Sequence, residues 1–193
     1  MTKQLFNAAA VVLTFAAFFP YIRSVLSGQT KPHVFSWIIW GLATVIVFLA
    51  QLADGAGVGA WSTGVSGVVT FYVAFLAYER QADYFITKTD WVFFILALAS
   101  LPLWFLTQNP FWAVVILTTV DTLGFAPTIR KAYHKPHEEQ LLLYVLMTVR
   151  NLVSIAALEH YSWTTILFPV VLSLTCIIFV LVVMVRRNEH RKA

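Results

Sequence analysis

The chain has 193 residues, of which 60% are hydrophobic and 16% aromatic, whereas only 11% are charged. A soluble domain carries about 25% charged residues, so the composition excludes an ordinary soluble protein and predicts an all-α integral membrane protein. The net charge of +4 does not call for nucleic acid as a partner, because the basic residues fall in short connections between apolar segments. With a single cysteine, Cys176, no internal disulfide can form.

Seven stretches are long and apolar enough to cross a membrane as helices, which takes about 20 residues. They are predicted at 4–25, 34–53, 60–79, 90–107, 110–130, 139–158 and 162–185. The first resembles a secretory signal, but its apolar run continues past any cleavage site near Ala8–Ala10, so we expect it to be retained as a helix. The third is rich in glycine, serine and threonine, which are common where membrane helices pack closely.

The basic residues are strongly biased to one side of the predicted membrane. The connections after the first, third and fifth spans share that side with the C-terminus and carry eleven lysines and arginines, whereas the opposite side carries only Lys3. Basic connections are retained in the cytoplasm. The sequence therefore predicts a multi-pass protein of the inner (plasma) membrane, with its N-terminus outside and its C-terminus cytoplasmic. Its basic tail, RRNEHRK, is expected to contact anionic lipid.

Two segments share the pattern Pro-x-Ile-Arg, a short spacer and Lys-Pro-His: FFPYIRSVLSGQTKPH (18–33) and FAPTIRKAYHKPH (125–137). Superposing them also pairs Trp40 with Tyr144, Thr44 with Thr148 and Trp61 with Trp163. The match predicts an internal duplication. Residues 1–79 form the first three-helix repeat, 80–107 a linker helix, and 108–193 the second repeat with its short basic tail. Because four helices separate equivalent positions, the two repeats are parallel in the membrane.

This 3+1+3 arrangement, with a proline near the cytoplasmic end of the first helix of each repeat, resembles the PQ-loop superfamily, which includes the SWEET sugar transporters. The KDEL receptor has a related fold. The resemblance covers nearly the whole chain, and the chain is similar to a bacterial branch of that group. At the motif positions the chain has Pro20-Tyr21 and Pro127-Thr128, so both prolines match and both glutamines are replaced. The resemblance implies that Pro20 and Pro127 are hinges for alternating access; a plain helix kink is the alternative.

The second helix of each repeat carries aromatic and polar residues at helical spacing. They are Trp37, Trp40, Thr44 and Gln51 on the second span and Tyr144, Thr148 and Asn151 on the sixth. In a SWEET-like fold these helices flank a central cavity. The resemblance thus implies that Trp40, Thr44, Tyr144, Thr148 and Asn151 contact a small polar solute. Trp37 lies nearer the cytoplasmic surface and is predicted to belong to the interfacial aromatic belt.

Two charged residues, Asp121 and Arg150, lie inside the fifth and sixth spans. At 1.5 Å per residue they lie about 14 and 20 Å from the cytoplasmic side, near the middle of a core about 30 Å thick. A charge there usually pairs or lines a wet cavity. Their counterparts in the first repeat are Thr14 and Ile46. Three roles stay open: a structural ion pair, binding of an anionic or carboxylate group by Arg150 with Asp121 in support, and proton exchange by Asp121.

We therefore predict a membrane transporter or facilitator of a small polar solute, such as a sugar, an amino acid or a vitamin, with coupling to protons left open. The alternative is a non-transporting receptor or structural membrane protein of the same fold. The sequence has no Gly-x-Ser-x-Gly motif and no glycine-rich phosphate loop, and its five histidines lie in connections or near termini. We accordingly expect no enzymatic activity, cofactor or metal ion. The lipid bilayer is the other expected partner, and association into a homo-oligomer stays open.

Overall fold

The computed structural model describes residues 2–30, 32–80, 86–125, 129, 132–133, 136 and 141–192. This part of the chain forms seven α-helices and no strand. They are α1 (Thr2–Leu26), α2 (Val34–Ala53), α3 (Trp61–Glu79), α4 (Lys88–Thr107), α5 (Pro110–Gly124), α6 (Leu141–Ala157) and α7 (Trp163–Lys192). A short 3-10 helix, Gly57–Ala60, leads into α3.

Helix length and apolar composition agree with a membrane protein. Five helices are long and apolar enough to cross a bilayer: α1, α2, α3 with the 3-10 helix before it, α4 and α7. The described parts of α5 and α6 are apolar but shorter, with 15 and 17 residues. Most of the remainder of the predicted fifth span, including the hinge candidate Pro127, lies outside the described residues. The predicted all-α membrane fold is confirmed.

The distribution of side chains supports the same conclusion. Large apolar side chains such as Phe105 and Leu106 cover the outside of the bundle, whereas Thr14, Gln51 and Arg150 are buried inside it. A soluble monomer rarely exposes apolar patches of such extent. In a bilayer the apolar surface faces lipid, and polar groups turn towards the interior of the bundle.

The helices pack in two similar groups, which we call unit 1 (α1–α3) and unit 2 (α5–α7). In unit 1, α3 packs against both α1 and α2, and in unit 2, α7 packs in the same way against α5 and α6. Between the units, α1 packs against α6 and α2 against α5. The first helix of each unit thus meets the second helix of the other. Helix α4 lies to one side, against α5 and α2.

Individual residues occupy equivalent places in the two units. Trp61 and Trp163 are each the first residue of the third helix of their unit. Thr44 donates a hydrogen bond to the carbonyl of Trp40 (2.8 Å), and Thr148 donates one to the carbonyl of Tyr144 (2.9 Å). Threonines elsewhere in the helices, such as Thr14 and Thr70, make the same bond to the preceding turn, so the internal duplication stays a prediction.

We call the end of the bundle at which α1 begins the N-terminal end. The connections between α2 and α3 and between α6 and α7 meet there, since Lys3 bonds the carbonyl of Ala156 and the amide of Ser62 bonds the Asn7 side chain. Towards the other end, α1 continues through Pro20 to Leu26 without a break. Proline has no N–H, so the helix lacks one hydrogen bond at that turn.

Candidate functional site

Arg150 is the largest fully buried side chain in the described part of the chain, with 1% of its surface exposed. It lies on α6, and its Nε donates to the hydroxyl of Thr14 on α1 (3.1 Å). Nη1 donates to Oδ1 of Asn151 (2.6 Å), and Nη2 donates to the backbone carbonyl of Ser62 in the first turn of α3. Oxygens from both units therefore hold the guanidinium at the interface between them.

Local hydrogen bonds fix the acceptors around Arg150. The Thr14 hydroxyl donates its proton to the carbonyl of Ala10 (2.9 Å), so its lone pairs are free to accept from the arginine. The Ser62 amide donates to Oδ1 of Asn7 (3.2 Å), which ties the start of α3 to α1. We call Thr14, Ser62, Arg150 and Asn151 the arginine cluster.

The ion pair between Asp121 and Arg150 considered from the sequence is absent. Helix α5, which carries Asp121, does not pack against α6, because α7 lies between the two helices. Among the described residues, the ion pairs are Asp54 with His160 and Arg186 with Glu189, and neither involves Arg150. The pairing was considered because Asp121 and Arg150 lie at similar depth on spans that are consecutive in the sequence. These two spans are not neighbours in the bundle.

Asp121 lies on α5, the helix of unit 2 that packs against α2 of unit 1. It is 7% exposed and stands one turn before Gly124, where a Cβ would lie 2.8 Å from the indole nitrogen of Trp40 on α2. Within the described ranges no side chain hydrogen bonds to the Asp121 carboxylate.

The remaining predicted contact residues do not surround a single cavity with the arginine cluster. Trp40 stacks edge-on with Trp37 (centroids 5.6 Å apart) and faces α5 of the other unit. Tyr144 instead packs on Phe179 of its own unit (4.1 Å). Thr44 and Thr148 each bond back to their own helix, as described above. Of the seven predicted contact residues, the structure brings Arg150 and Asn151 into direct contact and places Trp40 and Asp121 on facing helices.

Trp37, predicted to belong to the interfacial aromatic belt, contacts α1. Its ring lies 5.0 Å from that of Tyr21 and 6.3 Å from that of Phe18, measured between centroids. These contacts join the second helix of unit 1 to the segment of α1 on either side of Pro20.

Hydrogen bonds between the two units close the N-terminal end of the bundle. Glu159 donates its backbone amide to the carbonyl of Ala56 (3.0 Å), and its carboxylate accepts from the amide of Val58 (3.3 Å). The Ser162 hydroxyl donates to the carboxylate of Asp54. Backbone also meets backbone, because a Cβ at Gly59 would lie 2.6 Å from Cα of Leu158.

Two buried side chains make equivalent bonds across the interface. Arg150 on α6 reaches the carbonyl of Ser62 in the first turn of α3, and Gln51 on α2 reaches that of Thr165 in the first turn of α7 (2.8 Å). In both cases the second helix of one unit bonds the third helix of the other. The link on α6 carries a positive charge, and the link on α2 is a neutral amide that is 1% exposed. The counterpart of Arg150 in the superposition is Ile46, so the two links lie on equivalent helices and not at equivalent positions.

Three buried side-chain atoms in the described part have no hydrogen-bond partner: Oε1 of Gln51, Oγ1 of Thr118 and Nδ2 of Asn151. Two of the three belong to the links between the units. A groove of about 340 Å³ between α5 and α7 is lined by Val115, Thr118, Thr119, Thr122, Leu123, Leu167 and Val171. A second cavity of about 320 Å³ runs along α4. Neither includes the arginine cluster, which is closed in this conformation.

Sequence reasoning missed Asn7 and Ser62, and it missed the link made by Gln51. Ser62 acts through its backbone carbonyl, which no pattern of residue types reveals. Asn7 is an amide in an apolar helix, and that was a usable signal. No group of three or more potential metal ligands occurs among the described residues. No protein-family model, curated protein or solved structure matches this chain.

Proposed function

We propose that this protein is a transporter or facilitator of a small polar solute and works by alternating access between unit 1 and unit 2. The observation that carries the proposal is the polar contact between the units, with the buried Arg150 at its centre. Hydrogen bonds between units exchange for bonds to water at a small net cost, about 1 kcal/mol each. A buried charge inside a membrane bundle typically marks a solute or ion pathway.

The proposed orientation follows from the basic connections. With these in the cytoplasm, the N-terminal end faces the outside of the inner (plasma) membrane, and the described conformation is closed to the outside. Side chains of the predicted solute face support an opening towards the cytoplasm. Trp40, Tyr144 and Thr148 are only partly buried, whereas Gln51 and Asn151, nearer the N-terminal end, are fully buried.

The neighbour pattern of the helices supports a relationship to PQ-loop and SWEET-like proteins, which we include in the proposal. In that cycle Pro20 acts as a hinge, because the turn without its backbone hydrogen bond bends more easily. Trp37 contacts both sides of this turn through Phe18 and Tyr21, so movement of α1 is transmitted to α2.

The test first identifies a solute and then locks the N-terminal end. Sugars, amino acids, nucleosides and vitamins are screened for a rise in the melting temperature of the detergent-purified protein. Any solute that binds is then followed into proteoliposomes. Cys176→Ala gives a background without thiols, in which Asp54→Cys and Ser162→Cys are combined and joined by a short thiol crosslinker. Their native side chains are in contact across the units.

We expect uptake to stop on crosslinking and to return on reduction. The control pair is Arg186→Cys with Glu189→Cys, whose native side chains pair within α7, so that its crosslink leaves the units free to move. Uptake that continues in protein crosslinked at 54 and 162 would rule out alternating access at this end. A solute that binds but never crosses the membrane would refute transport.

The competing function is a non-transporting receptor or structural membrane protein. The closed packing of the arginine cluster favours it, because three of the guanidinium N–H groups already have acceptors within the protein. This alternative predicts ligand binding, or association with a partner, without solute flux in proteoliposomes.

A further inference from the structure

The charge of Arg150 is not neutralised by any described residue. An arginine has five N–H donors, and three of them meet the hydroxyl of Thr14, the amide oxygen of Asn151 and the carbonyl of Ser62. All three acceptors are neutral. Each terminal nitrogen has a second N–H, for which the described part of the chain supplies no acceptor. A buried positive charge and two unused donors therefore remain at the interface.

Asn151 adds further donors at the same place. Its Oδ1 accepts from Arg150, which fixes the orientation of the amide, because a guanidinium can only donate. Its Nδ2 is then the free end, and this nitrogen is buried with no partner among the described residues. The side chain is fully enclosed, at 0% exposed. Arg150 and Asn151 together present four N–H groups beside one another, against one remaining lone pair on Oδ1 of Asn151.

The chemistry of this group selects its ligand. A carboxylate only accepts hydrogen bonds, has two oxygens and carries one negative charge. Its geometry matches the fork of a guanidinium, and one charge balances Arg150. A sugar hydroxyl or a water molecule would leave the arginine charge uncompensated, and a phosphate dianion would bring one charge too many.

We propose that the transported solute carries a carboxylate and that Arg150 and Asn151 bind it; this inference rests on the proposed function. The carboxylate reaches the cluster when the N-terminal end opens, and there it replaces the Ser62 carbonyl as the partner of Nη2. Opening breaks the bond between Arg150 and the Ser62 carbonyl of the other unit, and the bound carboxylate takes the place of that carbonyl.

The first experiment uses a tethered carboxylate and needs no knowledge of the solute. Asn151→Asp places a carboxylate against the guanidinium, so we expect the melting temperature of the purified protein to rise. Gln51→Glu is the matched control, because it puts a buried carboxylate at the link on α2, where the side chain bonds only the neutral carbonyl of Thr165 among the described residues, and should lower the melting temperature. If the melting temperature of Asn151→Asp falls as far as that of Gln51→Glu, the charge of Arg150 is already neutralised, and the proposal is overturned.

The second experiment probes the site with the smallest carboxylates. Formate, acetate and propionate are compared with formamide, acetamide and propionamide, with sodium chloride and sodium phosphate as the other anions. At about ten times the dissociation constant a carboxylate should raise the melting temperature by roughly 3 to 6 °C. Asn151→Asp and Arg150→Met should lose the response, whereas Thr118→Val, which removes the unpartnered hydroxyl on α5, should keep it. If carboxylates do not raise the melting temperature, or if amides, chloride or phosphate raise it equally, the proposal that this site binds a carboxylate is overturned.

The two proposals fail in different ways. If a neutral solute is transported and carboxylates do not change the melting temperature, carboxylate binding is refuted and the proposed transport is not. A carboxylate response without flux of any bound solute would refute transport and leave a carboxylate-binding receptor.

Discussion

Gly59→Ala should weaken the closed state of the N-terminal end more than it weakens the fold. A Cβ at this position would lie 2.6 Å from Cα and N of Leu158, which are backbone atoms of the other unit and cannot rotate away. Real Cβ contacts essentially never fall under 3.0 Å, and ordinary van der Waals contact begins at 3.4 Å, so the connections must separate by about 0.4 to 0.8 Å. Overpacking of this kind costs about 1–3 kcal/mol. Because about 1.4 kcal/mol is tenfold in a population, we expect the closed state to be depleted by about tenfold.

The assay is the rate at which a membrane-impermeant thiol reagent labels Ser62→Cys in the Cys176→Ala background. Ser62 is buried at the N-terminal end, so labelling requires opening, and Gly59→Ala should accelerate it about tenfold. Gly41→Ala is the control, because its Cβ meets only the ring of Phe71 within unit 1, and it should leave the labelling rate unchanged. An unchanged rate and melting temperature in Gly59→Ala would refute the tight contact between Gly59 and Leu158. Equal acceleration by both substitutions would show that labelling reports general loosening.

Three further predictions concern other residues of the interface and the hinge. Asp121→Asn should fold, because no described side chain bonds the carboxylate, and it should lose solute movement or its pH dependence; unchanged uptake across pH would exclude Asp121 from proton coupling. Gln51→Leu removes one bond to Thr165 but also an unpartnered oxygen, so the free energy of unfolding should change by no more than about 1 kcal/mol; a loss of several kcal/mol in chemical denaturation would contradict this account. Pro20→Ala restores an N–H inside α1 and should slow uptake while raising the melting temperature; uptake at the native rate would favour a plain structural kink.

Sequence patterns predicted the helices well because each span of a bilayer must be an apolar helix of about 20 residues. Length and apolar content suffice to recognise such a segment. The repeat supplied register as well, and Trp61 and Trp163 each begin the third helix of their unit. The first Lys-Pro-His copy has a local role: His33 caps α2 by accepting from the amide of Ser36 (3.3 Å). The second copy falls largely outside the described residues.

The partners of the buried charges could not be predicted in the same way. Arg150 and Asp121 are close in depth and lie on consecutive spans, but α7 packs between those spans. Which helices touch depends on side-chain packing over the whole bundle, and that information is not periodic in the sequence. The superposition did contain one clue. Thr14, the counterpart of Asp121, is one of the three residues that bond Arg150, because α1 packs on α6 as α5 packs on α2.

The position of Arg150 between unit 1 and unit 2 is informative about the energetics of opening in the proposed cycle. Two links join the units near the N-terminal end, one through Gln51 and one through Arg150. When Gln51 leaves the carbonyl of Thr165, water can replace a neutral bond at little net cost. When Arg150 leaves the carbonyl of Ser62, the cation must be solvated or neutralised, and a charge buried in the membrane without a partner is costly. In the proposed cycle a bound carboxylate removes that cost from the charged link alone. An empty transporter therefore opens less readily than a loaded one, so labelling of Ser62→Cys should accelerate when acetate binds and should not respond to acetamide.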